Sequence, residues 1–151
     1  MPVVAETTTT ATRLARETPR VLDDAAKGPV TVTRPGKKPA VTLVTRDLWR
    51  EGEQAKHWLS VQSVIVQYAL QRSKGRQAGY PAEYGWIRVF DDEDLRDFIG
   101  ELIDAIYGSL HMGRSWDDVD AVIEEWRRSA CAMEDAELAA RFHRTLEDIR
   151  R

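Results

Sequence analysis

The sequence is poor in cysteine, in histidine and in long apolar runs, and each scarcity excludes a class of protein. Its single cysteine, Cys131, cannot form a disulfide within the chain, and no zinc-type spacing of Cys and His surrounds it. No apolar run approaches the length of a membrane span, and the first residues lack the basic and then apolar pattern of a secretory signal. We therefore expect a cytoplasmic protein that makes no membrane contact.

Motifs that carry catalysis are missing as well. His57, His111 and His143 stand far apart, and the chain has no Gly-rich phosphate loop, no GxSxG elbow and no HExxH pair. The acidic run 91–94 lacks the spaced ligands and the glycine of a calcium loop, so it favours the N-terminus of a helix instead. We expect no catalytic residues, no cofactor and no metal.

Charge is distributed unevenly along the chain. Residues 1–82 carry 13 basic and 7 acidic side chains, a net +6, whereas residues 83–151 carry 9 and 18, a net -9. One part could attract a polyanion and the other should repel it. Two separately solvated modules of different composition would give the same charge distribution. Charge alone therefore does not distinguish polyanion binding from this alternative, and the motifs must be considered.

The stretch from residue 11 to residue 44 has the pattern of a helix pair followed by a β-hairpin. Apolar residues recur at helical spacing over 11–27, with Thr18 as the predicted cap of a restarting helix and Gly28 as its end. Residues 30–33 alternate Val with Thr, and residues 40–44 form a second, more apolar strand. Between them, Pro35 and Gly36 fit a type II turn.

The predicted hairpin carries three cations at its tip. Arg34, Lys37 and Lys38 occupy the turn, and such loop cations are usually only solvated. Arg13, Arg16 and Arg20, however, lie on the preceding helical segment, so two adjacent elements offer positive charges that could converge on phosphates. This combination favours DNA binding, with Arg13, Arg16 and the three turn cations as the five predicted contacts.

The segment LARETPRVLDDAAKGPVTVTRPGKKPAVTLVTRDLW resembles the N-terminal module of prevent-host-death antitoxins, the Phd/YefM type, over roughly residues 11–50. The resemblance implies a homodimer around a small antiparallel sheet, binding to operator DNA of its own operon, and a C-terminal segment that binds and inhibits a toxin. The sequence departs from the pattern at Ala15, where an arginine is usual. The resemblance therefore leaves open whether Arg13 or Arg16 reads a base edge.

The middle of the chain predicts a long helix. Asp47 is its expected cap, and apolar residues follow at helical spacing to about Ala69, although VQSVIVQY is β-branched enough to form a strand. Glycines and a proline over residues 73–85 indicate a linker. The apolar face of this helix could serve as dimer contact or as core.

The acidic part of the chain predicts an extended segment at residues 86–90 and then helices. The first should end at Gly113, the second should be capped by Ser115, and a third should close the chain. The expected fold class is α+β: a small antiparallel sheet with helices in a Phd/YefM-like module, followed by an all-helical C-terminal region.

The last helices carry apolar stripes that need a packing partner. An intramolecular bundle would satisfy them, but EEWRRSACAMEDAELAARF is also similar to the tails of some actinobacterial members of the antitoxin family. On that resemblance, six residues are the predicted toxin contacts: Trp116, Val119, Ile123, Trp126, Leu138 and Phe142.

Together these observations predict an antitoxin of a type II toxin-antitoxin system. Residues 1–72 would dimerise and bind operator DNA, and residues 86–151 would bind the cognate toxin. Residues 73–85 would form the linker between these two regions. The alternative is a stand-alone DNA-binding transcriptional regulator whose helical domain packs on itself and has no toxin partner.

Overall fold

The computed structural model describes residues 7–76, 79 and 82–149, apart from the side chains of residue 139 and of residues 142–149. Contacts divide the chain between Gln54 and Ala55 into two compact units, which we call the N-terminal unit and the C-terminal unit. The α+β class is confirmed. Helices and strands follow in the order β1 (Thr7–Thr10), α1 (Ala11–Arg16), α2 (Thr18–Lys27), β2 (Val30–Thr33), β3 (Val41–Leu43), α3 (Arg46–Ser73), α4 (Asp92–Met112) and α5 (Asp117–Ile149).

The sheet of the N-terminal unit has three strands in the order β1-β2-β3. The predicted hairpin is confirmed, because β2 and β3 are antiparallel and Val32 pairs with Val41. The prediction of an antiparallel sheet was nevertheless incomplete, since β1 lies parallel to β2. β1 consists of four threonines, which suit a strand but show no alternation of apolar and polar residues.

The predicted helix pair is also confirmed, with one corrected cap. Thr18 is the first residue of α2 rather than its cap, and its hydroxyl donates to the Leu14 carbonyl at 2.7 Å. Glu17 occupies the cap position without a side-chain cap bond. α2 ends at Gly28, as predicted.

The core of the N-terminal unit is small. Val21, Ala25 and Val30 are buried, and Leu14 and Leu43 are partly buried against them. Helical spacing on α2 and alternation on β2 bring these side chains to one face of the sheet. A core of this size stabilises a unit of about fifty residues only marginally.

α3 is one continuous helix, which excludes the strand alternative for VQSVIVQY. Thr45, not Asp47, caps it, because the Thr45 hydroxyl accepts a hydrogen bond from the Leu48 amide at 3.2 Å. Asp47 lies in the first turn, where its negative charge interacts favourably with the helix dipole. The division between the two units falls within this helix, whereas the predicted functional module extends to residue 72.

The buried face of α3 follows helical spacing, as predicted. Trp58, Val61, Ile65 and Tyr68 are buried at spacings of three and four, while Leu59 is exposed. Two neighbouring stripes on one helix have similar hydropathy, so their spacing alone could not show which one packs inward.

Residues 82–89 form 3₁₀ turns with a kink at Tyr84, where an extended segment was predicted for 86–90. Ile87 and Phe90 are both buried. Side chains three residues apart overlap along a 3₁₀ helix, so this conformation places both in the core. A short apolar run does not distinguish it from a strand by periodicity.

α4 begins and ends as the sequence predicts. The Asp91 carboxylate accepts hydrogen bonds from the amides of Glu93 and Asp94, both at 2.9 Å, which satisfies two otherwise unpaired donors. Gly113 ends the helix in the left-handed conformation at φ +68°.

α5 runs without a break from Asp117 to Ile149, where two successive helices were predicted. The span contains neither glycine nor proline, so nothing in it interrupts the backbone hydrogen bonds. At its start the Ser115 hydroxyl accepts from the Asp117 amide at 3.1 Å, in line with the predicted cap.

Aromatic rings form the centre of the C-terminal core. Phe90 and Phe98 are fully buried, and Trp126 packs against both with ring centroids 5.2 Å and 5.6 Å away. Trp86 contacts the same two phenylalanines from 6.0 Å and 5.4 Å. The 3₁₀ turns, α4 and α5 are therefore held together by one aromatic cluster.

Candidate nucleic-acid interface

The pairing of β1 with β2 places the start of α1 beside the hairpin loop. Thr10, the last residue of β1, is opposite Thr33, the last residue of β2. Both strands run in the same direction, so the elements that follow them leave from the same edge of the sheet. Thr10 also caps α1, since its hydroxyl accepts from the Arg13 amide at 3.2 Å.

The two predicted arginines of α1 have different surroundings. Arg13 donates from Nε to the Glu17 carboxylate at 3.2 Å. The same carboxylate oxygen, Glu17 Oε2, lies 3.8 Å from Arg20 Nη1. Arg16 is exposed, and the described part of the chain contains no ion pair for it. Of the two, Arg16 keeps its charge available to a ligand.

The hairpin loop, residues 34–40, contains the other three predicted cations. Arg34 donates from both Nε and Nη2 to the Pro39 carbonyl, at 2.9 Å and 2.7 Å. Lys37 and Lys38 are exposed and have no ion pair within the described residues. The sequence placed all three at the tip, but it gave no sign that Arg34 bonds to its own loop.

Gly36 adopts φ +77°, and the turn lies at Gly36 and Lys37, one residue later than the predicted central pair of Pro35 and Gly36. A side chain there would meet no neighbouring atom within 4 Å, so the backbone conformation alone calls for glycine.

The net charge of the N-terminal unit is modest. Dividing the chain at residue 54 gives this unit nine basic and seven acidic residues, a net +2, and the C-terminal unit thirteen and eighteen, a net -5. The sequence-based count of +6 included the cations of α3 beyond residue 54 and of the residues after this helix. Local clustering of cations, rather than total charge, therefore distinguishes the candidate interface.

Four of the predicted toxin contacts belong to the chain's own core. Val119 is fully buried, and Trp116, Ile123 and Trp126 are partly buried against the core of the C-terminal unit. Trp126 also donates from Nε1 to the Glu101 carboxylate at 2.9 Å.

The remaining two predicted toxin contacts lie farther along α5. Leu138 is 55% exposed. The side chain of Phe142 lies outside the described residues. The structure thus brings four of the six together in a core and leaves Leu138 at the surface.

An exposed apolar face lies on α3 and α4. Its members are more than a third exposed: Leu59, Val66 and Leu70 on α3, and Ile103 and Tyr107 on α4. A groove of about 320 Å³ runs between the two helices, lined in part by Val66, Leu70 and Ile99. The spacing of these residues was predicted, but their exposure depends on how the helices pack.

Two further features concern other classes of site. In the part of the chain that the structure describes, no cluster of three or more His, Cys, Asp or Glu side chains is placed to hold a metal ion. Nor does any helix there combine the length and the hydropathy needed to cross a membrane.

The chain matches no protein-family model. No curated protein and no solved structure is similar enough to count as a match either. Any function must therefore be argued from the residues, their geometry and the pattern of residues 11–50.

Proposed function

We propose that the chain is a DNA-binding antitoxin, which binds operator DNA through its N-terminal unit and a cognate toxin through its C-terminal unit. The pairing of Thr10 with Thr33 carries the DNA part of the proposal, because it brings α1 and the hairpin loop to one edge of the sheet. Arg16 on α1 and Lys37 and Lys38 in the loop are exposed positive charges that phosphates could contact.

The proposal includes a homodimer. The N-terminal unit buries few side chains of its own, and Leu22, Val41 and Trp49 are more than a third exposed. A second copy covering such residues would add the apolar burial that the unit lacks. Two copies related by a two-fold axis would also present two sets of cations to a palindromic duplex.

The toxin part rests on the resemblance to prevent-host-death antitoxins and on charge. The C-terminal unit carries a net -5, and a negative surface complements a basic, RNA-binding toxin. Leu138 and the exposed apolar face of α3 and α4 are among the exposed apolar groups that such a partner could contact.

A stand-alone transcriptional regulator is the second candidate. It is favoured by the burial of Val119 and the packing of Trp116, Ile123 and Trp126 within the chain. A C-terminal unit that satisfies its own aromatic residues does not need a toxin in order to fold. Both candidates share the DNA-binding N-terminal unit.

Sequence-specific binding tests the shared part. Fluorescence anisotropy of the full-length chain should show binding to a duplex from the region upstream of its own gene at least about tenfold tighter than to a scrambled duplex of equal length. Equal affinity for the two duplexes, or no binding, would contradict operator recognition. Binding to the upstream duplex by the protein as a dimer would support the two-fold arrangement.

A further inference from the structure

Arg34 bonds to its own hairpin loop through the part of its side chain that usually recognises an anion. Its Nε and Nη2 donate to the Pro39 carbonyl at 2.9 Å and 2.7 Å. These two nitrogens form the edge of the guanidinium group that binds a carboxylate or phosphate with two parallel hydrogen bonds. In this structure a carbonyl within the protein occupies that edge.

The two ends of the loop are joined by this interaction. Arg34 is the first residue after β2, and Pro39 lies two residues before β3 begins at Val41. Lys37 and Lys38 lie between the two bonded residues. The Arg34 side chain therefore closes a ring of backbone that contains both lysines.

Among the described residues, no other side chain bonds across this loop. The backbone turn at Gly36 and Lys37 spans only its middle, and no backbone hydrogen bond joins residues 34 and 39. Pro35 and Pro39 have no N–H to donate, and Gly36 adds conformational freedom at φ +77°. The loop would sample many conformations without a side chain to hold it.

We propose that Arg34 is a positioning residue, which holds the hairpin loop in the conformation that presents Lys37 and Lys38 to DNA phosphates. This inference rests on the proposed DNA-binding function and assigns Arg34 a different part in it from the phosphate contact predicted from the sequence. A loop that is ordered before binding loses less conformational entropy when the lysines engage the duplex.

Two substitutions separate positioning from direct contact. Arg34→Lys keeps the charge but loses the two-nitrogen edge, and Arg34→Gln loses the charge as well. Arg50→Lys and Arg50→Gln are the matched controls, because Arg50 is an exposed arginine of the same unit outside the loop. All variants are made in the full-length chain.

Two measurements are made on each variant. The first is the backbone order parameter of Gly36, Lys37 and Lys38 without DNA, measured by nitrogen-15 relaxation, and the second is affinity for the upstream duplex over a series of salt concentrations. We expect these order parameters to stay near about 0.85 in wild type and to fall below about 0.6 in both Arg34 variants. We expect both to bind about tenfold more weakly at fixed salt, with the wild-type slope of log affinity against log salt.

The opposite pattern would overturn the inference. If Arg34→Lys binds like wild type while Arg34→Gln lowers the salt slope by about 0.9, Arg34 contacts a phosphate directly. Unchanged order parameters in both variants would show that Arg34 does not hold the loop, whatever the DNA result. If wild type fails to bind DNA, the proposed function and the purpose assigned to Arg34 both fail, and lower order parameters would then show only that Arg34 orders the loop.

Discussion

Thr10 and Thr33 are paired across the parallel strands β1 and β2. Thr10 caps α1, and Thr33 directly precedes Arg34, so one backbone pairing fixes the position of the helix relative to the hairpin loop. A shift of one residue in this register would turn the side chains of β1 to the opposite face of the sheet. The arrangement of the proposed DNA-binding cations therefore depends on a strand that the sequence did not reveal.

Substitution of Trp126 should show whether this residue belongs to the core or to a toxin contact. We expect Trp126→Ala to lower the free energy of unfolding by roughly 3 kcal/mol, because it removes a ring packed against Phe90 and Phe98. Leu138→Ala is the control, with an expected loss below about 0.5 kcal/mol at an exposed position. Urea unfolding of the free protein measures both, and equal stability of the two variants would contradict the packing.

The Asp91 cap makes a separate contribution to stability. We expect Asp91→Ala to cost about 1 kcal/mol, because the amides of Glu93 and Asp94 lose their acceptor. Asp97→Ala removes the same charge from an exposed position farther along α4 and should have little effect. Thermal unfolding at neutral pH compares them, and a larger loss in Asp97→Ala would show that helix charge outweighs capping here.

Limited proteolysis should distinguish a folded C-terminal unit from a tail that folds only on its partner. The buried cluster includes residues from Trp58 to Ala130, so cleavage within α4 should be slow in the protein without DNA or toxin. The N-terminal fragments and their masses are read by mass spectrometry over time. Rapid cleavage throughout α4 and the first half of α5 would favour a partner-dependent tail.

Tyr84 should make stability depend on alkaline pH. Burial, followed by the negative charges of Glu83 and Asp120, raises the pKa of the Tyr84 phenol above its ordinary value of 10.0. A raised pKa in the folded state means that its contribution to stability is fully present below pH 10 and is lost as pH rises through the raised pKa. Tyr84→Phe should therefore show a shallower fall in unfolding free energy above pH 10, as urea unfolding at a series of pH values would measure. An identical fall in both proteins would contradict this.

The helix pair, the hairpin and the caps at Asp91 and Gly113 could be predicted because each depends on neighbouring residues. Glycine at a positive φ and a carboxylate accepting from nearby amides act within a few residues, so their pattern is visible in the sequence. The alternation of Val and Thr in residues 30–33 likewise indicated both a strand and its buried face.

Features that depend on distant contacts were missed. β1 is a strand because it pairs with β2 twenty-three residues later in the chain. The four threonines of β1 do not by themselves indicate this pairing. The aromatic residues of α5 had the spacing of a binding stripe, but their partners Phe90 and Phe98 come from other elements. The bond from Arg34 to Pro39 required a loop conformation that composition does not determine.

The salt dependence of binding to the upstream duplex tests the central claim most directly, with wild type and two double variants. Lys37→Ala with Lys38→Ala removes two exposed loop lysines, and Lys56→Ala with Lys74→Ala removes two exposed lysines of the C-terminal unit. The account predicts that only the loop variant binds more weakly and that its slope of log affinity against log salt falls by about 1.8. Equal slopes for both double variants and wild type would contradict the claim that the hairpin loop contacts DNA.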